Sequence, residues 1–232
     1  MKVIYFNEEK DFNLSVDYGR MMSPGWCRRL KDFLHSSDMQ DTLYEVDKLY
    51  RNKALTMFPE KRDIFGIMNK MDLTEINVAI INCNPSFNYR STGVAFANKM
   101  KHRGDLDLSL SNLFDKINIY ERRTSSQEDY SLDHWIEQYV FPFNVSLTGL
   151  TNNNQRALWF GFSRAVIEAI SRARQGVIFL FIGSEEQCKP YYEKVNKQKH
   201  TILRHDELSY DALNDVNLEI DGVDGKEYRI KW

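Results

Sequence analysis

Residues 77–99 read NVAIINCNPSFNYRSTGVAFANK, and this stretch decides the fold. It opens with an apolar run around Val78–Ile81, which is typical of a strand buried on both faces of a parallel sheet. Pro85 cannot donate a hydrogen bond to a neighbouring strand, so we expect the strand to end before it. In a parallel sheet, ligands bind beyond the carboxyl ends of the strands. The Asn- and Ser-rich loop that follows is therefore either an ordinary polar connection or part of a binding site.

Comparable apolar runs recur along the chain. Strands are predicted at 140–147, 177–182 and 201–203, and helices at 26–35, 39–52, 108–119 and 155–174. Because strands alternate with helices, the predicted fold class is α/β, a three-layer α/β/α domain with a short, mostly parallel four-stranded central sheet. Residues 1–232 are expected to form a single domain. Alternating apolar residues around Asp224 and Gly225 predict a β-hairpin at 218–232.

The composition excludes several classes of protein. No apolar run approaches the roughly 20 residues that span a bilayer. Cys27, Cys83 and Cys188 are odd in number and scattered, which predicts a cytoplasmic protein without a disulfide framework. No Cys/His pair has zinc-site spacing, so we expect neither a metal nor an organic cofactor. The formal net charge of −2 is not that of a general polyanion binder, and any DNA contact must use local basic patches.

The loop NPSFNYRSTGVAFAN resembles the first active-site motif of the uracil-DNA glycosylase superfamily. It aligns without a gap to the motif of the mismatch-specific uracil/thymine branch, which opens with Asn-Pro-Gly and continues to Gly-x-x-Phe. Mainstream uracil enzymes carry Gly-Gln-Asp-Pro-Tyr-His at the same place. The resemblance extends from about Trp26 to Ala212 and implies the same fold. It also implies an enzyme that flips a base out of DNA and hydrolyses the N-glycosidic bond, leaving an abasic site.

Two later segments extend the resemblance. Asn144 falls where the mainstream enzymes end a strand in Leu-Leu-Asn-Thr, whose asparagine reads the flipped base; taken alone, it could equally be an asparagine satisfied by a neighbouring loop backbone. The segment His205-Asp-Glu-Leu-Ser resembles their His-Pro-Ser-Pro-Leu-Ser, with one residue fewer and no prolines. By that match His205 is the catalytic histidine, although a lone histidine is more often structural. Leu208 then matches the leucine that fills the gap left by the flipped base.

The resemblance implies a set of site residues. Asn84 and His205 would be catalytic, with Asn84 in the place of the aspartate that orients water in mainstream enzymes. Cys83, Ser86, Phe96 and Asn144 would bind the base, with Phe96 stacking on it. Contacts with DNA would come from Leu208, Ser209, Lys99, Lys101 and Arg103, although a basic cluster such as 99–103 is often only solvated surface.

The substrate prediction depends on Ser86. In mainstream enzymes a tyrosine at this place excludes 5-substituted pyrimidines, so a serine predicts an enlarged pyrimidine, for example a hydroxymethylated or glucosylated cytosine of phage DNA, and hence an antiphage role. Ordinary repair of uracil or mismatched thymine is the alternative. A non-catalytic DNA-binding relative, acting as a replication or scaffold factor, would fit the loss of the aspartate. In each case the expected protein is a monomer that contacts DNA and no membrane.

Overall fold

The computed structural model describes residues 21–99, 104, 106, 108–124, 128–151, 153–223 and 225–232. Its strands are β1 (Val78–Asn82), β2 (Val140–Asn144), β3 (Gly149–Leu150), β4 (Asn153–Asn154), β5 (Ile178–Ile182) and β6 (Thr201–His205). The helices are α1 (Pro24–Arg29), α2 (Lys31–Leu34), α3 (Ser37–Arg51), α4 (Gly66–Lys70), α5 (Leu108–Glu121), α6 (Asp133–Ile136), α7 (Arg156–Ala173), α8 (Glu185–Tyr192) and α9 (Tyr210–Val223). Short 3-10 helices span Lys61–Asp63 and Lys226–Tyr228.

Four strands form the central sheet, in the order β2-β1-β5-β6, and all three pairings are parallel. This confirms the predicted three-layer α/β/α class. β1 lies inside the sheet and is buried on both faces, as its apolar run predicts. Ala79 and Ile81 face one hydrophobic core, formed with α1, α3, α4 and α7. Val78 and Ile80 face a second core, formed with α5 and α9.

The register of the sheet brings four strand ends to one level. Asn82 of β1 pairs with Asn144 of β2 on one side and with Ile182 of β5 on the other, and Ile182 pairs with His205 of β6. Because the strands are parallel, the loops that leave these four residues meet at the same edge of the sheet. The three resemblance motifs are therefore neighbours in space.

The predicted hairpin at 218–232 is wrong. Residues 218–223 belong to the last helix, α9, whose buried face comprises Ala212, Leu213, Val216, Asn217 and Ile220. The chain beyond it lies along α9, where the Asn217 side chain bonds both the carbonyl and the amide of Ile230, at 3.0 and 2.8 Å. The tail is thus held by a helix side chain instead of a second strand.

The helices predicted at 39–52, 108–119 and 155–174 are observed as α3, α5 and α7, and their ends differ only slightly from the predicted ones. The segment predicted as a helix at 26–35 is divided into α1 and α2, which meet at Leu30. Within the described part of the chain, no helix has the length and apolar character needed to cross a membrane.

Candidate active site

A cavity of about 530 Å³ opens at the edge of the sheet where the four strands end. Its floor includes Asn82 and Asn144, and its walls come from the loop after β1, the start of α5 and the loop after β6. The predicted site residues that line it are Asn84, Ser86, Phe96, Asn144 and Leu208. Cys83, His205, Ser209 and Lys99 are not among its lining residues. Lys101 and Arg103 lie outside the described residues.

The buried side chain of Phe87 anchors the loop that follows β1. This side chain is only 2% exposed and packs against Gly149, where an added Cβ would lie 2.3 Å from the ring. Because Phe87 is anchored in this way, Asn84 and Ser86 on the same loop stay at the exposed mouth of the cavity. The Asn154 side chain adds a second anchor: its Nδ2 donates to Asn84 Oδ1 at 3.3 Å and to the Pro85 carbonyl at 3.1 Å.

Phe96 lines the cavity in a left-handed backbone conformation, with a φ of 64°. An aromatic residue is strained there, and such strain persists only where the surroundings impose it. The constraint comes from both sides: the Ala95 amide donates to the Pro142 carbonyl at 3.1 Å, and the Asn98 amide donates to the Tyr130 carbonyl at 2.7 Å. The backbone that carries the ring is therefore held on both sides of Phe96.

Asn82 is a polar floor residue that the sequence analysis did not select. Its Nδ2 donates to Asn144 Oδ1 at 3.0 Å, and its own Oδ1 accepts from the Asn84 amide at 3.3 Å. The partner of Asn144 is thus a side chain on the neighbouring strand, not a loop backbone. A signal was available in the sequence, because an asparagine stands where the mainstream motif has glycine.

Cys83 is fully buried and belongs to the hydrophobic core, so its side chain is not at the cavity. Its amide donates to the Ile182 carbonyl at 2.8 Å. The contact with the Cys188 thiol, together with burial, raises the pKa of Cys83 well above its usual range. Cys83 therefore stays a neutral thiol, and its predicted part in binding the base stays a prediction.

His205 ends β6, but its ring turns toward α9, where its Nε2 lies 2.9 Å from Asp215 Oδ2. The side chain borders a neighbouring groove with Cys188, Arg204 and Asp206. Its backbone carbonyl accepts from the Gly183 amide at 2.9 Å, and Gly183 does line the cavity. The catalytic histidine of the sequence analysis is thus adjacent to the cavity, with its imidazole bound elsewhere.

The predicted DNA contacts that the structure describes, Lys99, Leu208 and Ser209, have partners within the protein. Lys99 Nζ forms ion pairs with Glu60 and Asp63, at 3.2 and 3.0 Å, and its hydrogen bond and charge lower the pKa of Glu60. Ser209 Oγ accepts from the Ala212 amide and so caps α9. Leu208 is partly buried against the second core. Beside it, the cavity wall carries two carboxylates, Asp206 and Glu207, which the sequence analysis did not select.

Comparison with known proteins agrees with this architecture. No protein-family model matches the chain. A uracil-DNA glycosylase of Francisella philomiragia is 28% identical over 200 residues, which cover 83% of this chain and 88% of that protein. One from Acinetobacter baumannii is 26% identical over 186 residues, covering 78% and 76%. The crystal structure of mimivirus uracil-DNA glycosylase shares the fold, with a TM-score of 0.77 at 18% identity over 99% of this chain and 94% of that one.

The chain is thus similar to uracil-DNA glycosylases over most of its length and shares the fold of one of them. It departs from the mainstream motif at three lining positions. Asn82 stands in place of a glycine, Asn84 in place of an aspartate and Ser86 in place of a tyrosine. All three lie at the end of β1 or in the loop that follows it, so the departures are concentrated at one strand end.

Proposed function

We propose that this protein is a DNA glycosylase that flips a pyrimidine into the cavity and hydrolyses its N-glycosidic bond. One observation carries the proposal: an aromatic ring, Phe96, and two side-chain amides, Asn84 and Asn144, line the same cavity at the carboxyl edge of the sheet. A flipped base is read by stacking on an aromatic ring and by hydrogen bonds to its edge. The relatives at 26–28% identity, which are named uracil-DNA glycosylases, support the same reaction.

The chemistry assigned to each residue follows from where charge develops. Cleavage of the bond leaves positive charge on the sugar and negative charge on the base. Asn84 at the cavity mouth can hold the attacking water through its amide oxygen, but it lacks the negative charge of an aspartate and so stabilises the sugar cation less. His205 can donate a hydrogen bond to the base oxygen once its ring leaves Asp215. We therefore expect slow but measurable turnover.

The product is proposed to be an abasic site in an uncut strand. Lyase activity needs an amine that attacks the sugar, usually a lysine. Among the described residues that line the cavity, none is a lysine. This supports hydrolysis by water, and borohydride should then trap no covalent adduct between protein and DNA.

The finer proposal concerns the substrate, which we infer to be a pyrimidine enlarged at C5. Ser86 supports it, because the wall that a tyrosine would form is replaced by a hydroxymethyl group at the cavity mouth. The cavity volume of about 530 Å³ lies within the range of about 300–1,000 Å³ that is common for ligand pockets. Modified pyrimidines of phage DNA would fit such a pocket and give the enzyme a defence role. The names of the relatives favour a second candidate, plain uracil excision in repair.

Single-turnover release of free base from duplexes tests these proposals. Five duplexes are compared, and each carries a single target base. The targets are uracil, mismatched thymine, 5-hydroxymethyluracil, 5-hydroxymethylcytosine and glucosylated cytosine. We expect release of at least one base, at a rate that Asn84→Ala lowers by about 10²–10⁴. Release of uracil alone would support the repair candidate. Binding of every duplex with no release would contradict a glycosylase and support a non-catalytic DNA-binding protein.

A further inference from the structure

The two hydrogen bonds of Asn82 have a fixed direction. A backbone N–H can only donate, so the Asn84 amide, 3.3 Å away, requires that the oxygen of the Asn82 side chain face it. The Asn82 amide nitrogen must then point the other way, toward Asn144, where it donates at 3.0 Å. Asn144 can accept this bond only through its own oxygen. A backbone group thus determines the orientation of both side-chain amides.

This chain of bonds has its free end in the cavity. Asn144 Oδ1 is engaged by Asn82, whereas its Nδ2, with two protons, remains for a ligand on the floor of the cavity. Both asparagines are half-buried, so a ligand group that met this nitrogen without accepting from it would leave a donor with little access to water. Without Asn82, the Asn144 amide could turn over and present either atom.

We propose that Asn82 is a specificity-determining positioning residue, which locks Asn144 so that the cavity presents a hydrogen-bond donor to the edge of the base. This inference rests on the proposed function. Uracil and its 5-substituted derivatives carry a carbonyl at position 4, which accepts a hydrogen bond. Cytosine and its derivatives carry an amino group there, which can only donate. The lock therefore selects 4-carbonyl pyrimidines, and the enlarged substrate becomes a 5-substituted uracil instead of a modified cytosine.

A similar series of hydrogen bonds, from a backbone N–H through one asparagine to a second, orients the Asn84 side chain. The Arg156 amide donates to Asn154 Oδ1 at 3.3 Å, and Asn154 Nδ2 in turn donates to Asn84 Oδ1 at 3.3 Å. Here too a backbone N–H orients one asparagine, which orients the next. The two series of hydrogen bonds meet at Asn84, which uses its backbone amide in one and its side-chain oxygen in the other, and they have no bond in common. Variants of Asn82 can therefore be tested with the Asn84 chain intact.

Asn82→Asp is the most direct test, because it reverses the direction of the hydrogen bond between residues 82 and 144. The introduced carboxylate still accepts from the Asn84 amide, but it cannot donate to Asn144. It accepts from Asn144 Nδ2 instead, which turns the Asn144 oxygen toward the ligand. Asn82→Gly, which restores the mainstream residue, removes the lock without reversing it. Asn69→Asp adds the same charge at an exposed position outside the cavity lining and serves as the control.

The measured quantity is the ratio of single-turnover rates for two bases that differ in the group at position 4 and in the proton at N3: 5-hydroxymethyluracil over 5-hydroxymethylcytosine, and uracil over cytosine. We expect the ratio to favour the 4-carbonyl base in the wild type. Asn82→Asp should lower it by about 10–10²-fold, and Asn82→Gly should lower it by less. Asn69→Asp should leave it unchanged. A merely structural role of Asn82 would slow both bases equally, so an unchanged ratio in Asn82→Asp overturns the inference.

A second measurement separates this inference from the proposed function. Free uracil and free cytosine are titrated into ¹⁵N-labelled wild type and Asn82→Asp, and binding is followed at the Asn144 side-chain amide signal. A uracil preference that reverses in the variant supports the lock even if no base is ever released from DNA. Equal binding of both bases by the wild type, or a preference that survives in Asn82→Asp, overturns the lock even if base release is observed.

Discussion

Ser86 lies at the mouth of the cavity and presents a side chain that is smaller than the mainstream tyrosine by an entire aromatic ring. Ser86→Tyr should restore that wall. We expect the variant to lose release of 5-substituted pyrimidines and to keep or improve release of uracil, because uracil has only a hydrogen at C5. Both are measured as single-turnover rates. Ser86→Ala, which keeps the small side chain, is the matched control and should retain the wild-type order of substrates.

The outcome that would contradict the role of Ser86 is specific. If Ser86→Tyr releases 5-hydroxymethyluracil as fast as the wild type does, another part of the cavity wall determines the size of the accepted base. The reading of position 4 through Asn82 would be unaffected, because it depends on the floor of the cavity and not on its mouth.

At the scale of elements, the loop that carries Phe96 depends on a close approach of two backbones. Gly93 has a φ of 76°, and a Cβ at this residue would lie 1.7 Å from the Asp63 carbonyl oxygen. Gly93→Ala should therefore force the loop away from the 3-10 helix at Lys61–Asp63. We expect a loss of about 2–4 kcal/mol in the free energy of unfolding, measured in urea.

Gly222 offers the control for this substitution. It lies in α9, and an added Cβ would have no described atom within 4 Å apart from its chain neighbours and the backbone of its own helix. Gly222→Ala should be neutral or stabilise the protein by up to about 1 kcal/mol, since alanine favours a helix over glycine. Equal urea midpoints for the two variants would show that the loop accepts a side chain at Gly93 after all.

The contact between β6 and α9 holds the His205 ring away from the cavity. If His205 acts on the base, Asp215 competes with that role, and Asp215→Ala should raise or preserve the single-turnover rate while His205→Ala lowers it by about 10²–10⁴. Within the part of the chain that the structure describes, each of these side chains has the other as its hydrogen-bond partner. A purely structural pair would instead give similar small losses of stability in both variants and unchanged rates, which thermal unfolding together with base release distinguishes.

At the scale of the whole molecule, a net charge of −2 leaves DNA binding to local charges. Each lysine or arginine that neutralises a phosphate adds about 0.9 to the slope of log K against log salt. Lys99 is already paired with Glu60 and Asp63, so Lys99→Met should leave the slope nearly unchanged. The double substitution Lys101→Met and Arg103→Met should lower it if those residues contact phosphates. A slope that falls with Lys99→Met alone would show that its ion pairs open on DNA.

The fold could be predicted largely because both cores lie on a sheet with two buried faces. Each central strand is then a continuous apolar run, and Pro85 limits the first one. The last helix was missed for an equally physical reason. Leu218 and Ile220 alternate as a strand would, and Asp224 with Gly225 is a turn signal, whereas the helical spacing becomes visible only when Ala212, Leu213 and Val216 are included.

Which candidate residues line the cavity could be predicted only as far as backbone position determines it. Asn84, Ser86, Phe96 and Asn144 reached the cavity because they lie at strand ends or on an anchored loop. The side chains of His205 and Lys99 took partners that are far away in sequence or on another element, namely Asp215 for the first, and Glu60 and Asp63 for the second. No local pattern records such partners. Asn82 is different, because its replacement of the mainstream glycine is visible in the sequence, and only its hydrogen bond to Asn144 needed the structure.

The position of β1 inside the sheet has a consequence for how the protein loses its function on heating. The strand is hydrogen-bonded to neighbours on both sides and buried on both faces, so its amides should exchange with deuterium only when the whole domain opens. Asn82 is its last residue and Asn84 follows two positions later. The floor of the cavity therefore has no separate, earlier melting step, and binding of a base should disappear in the same cooperative transition as the fold itself.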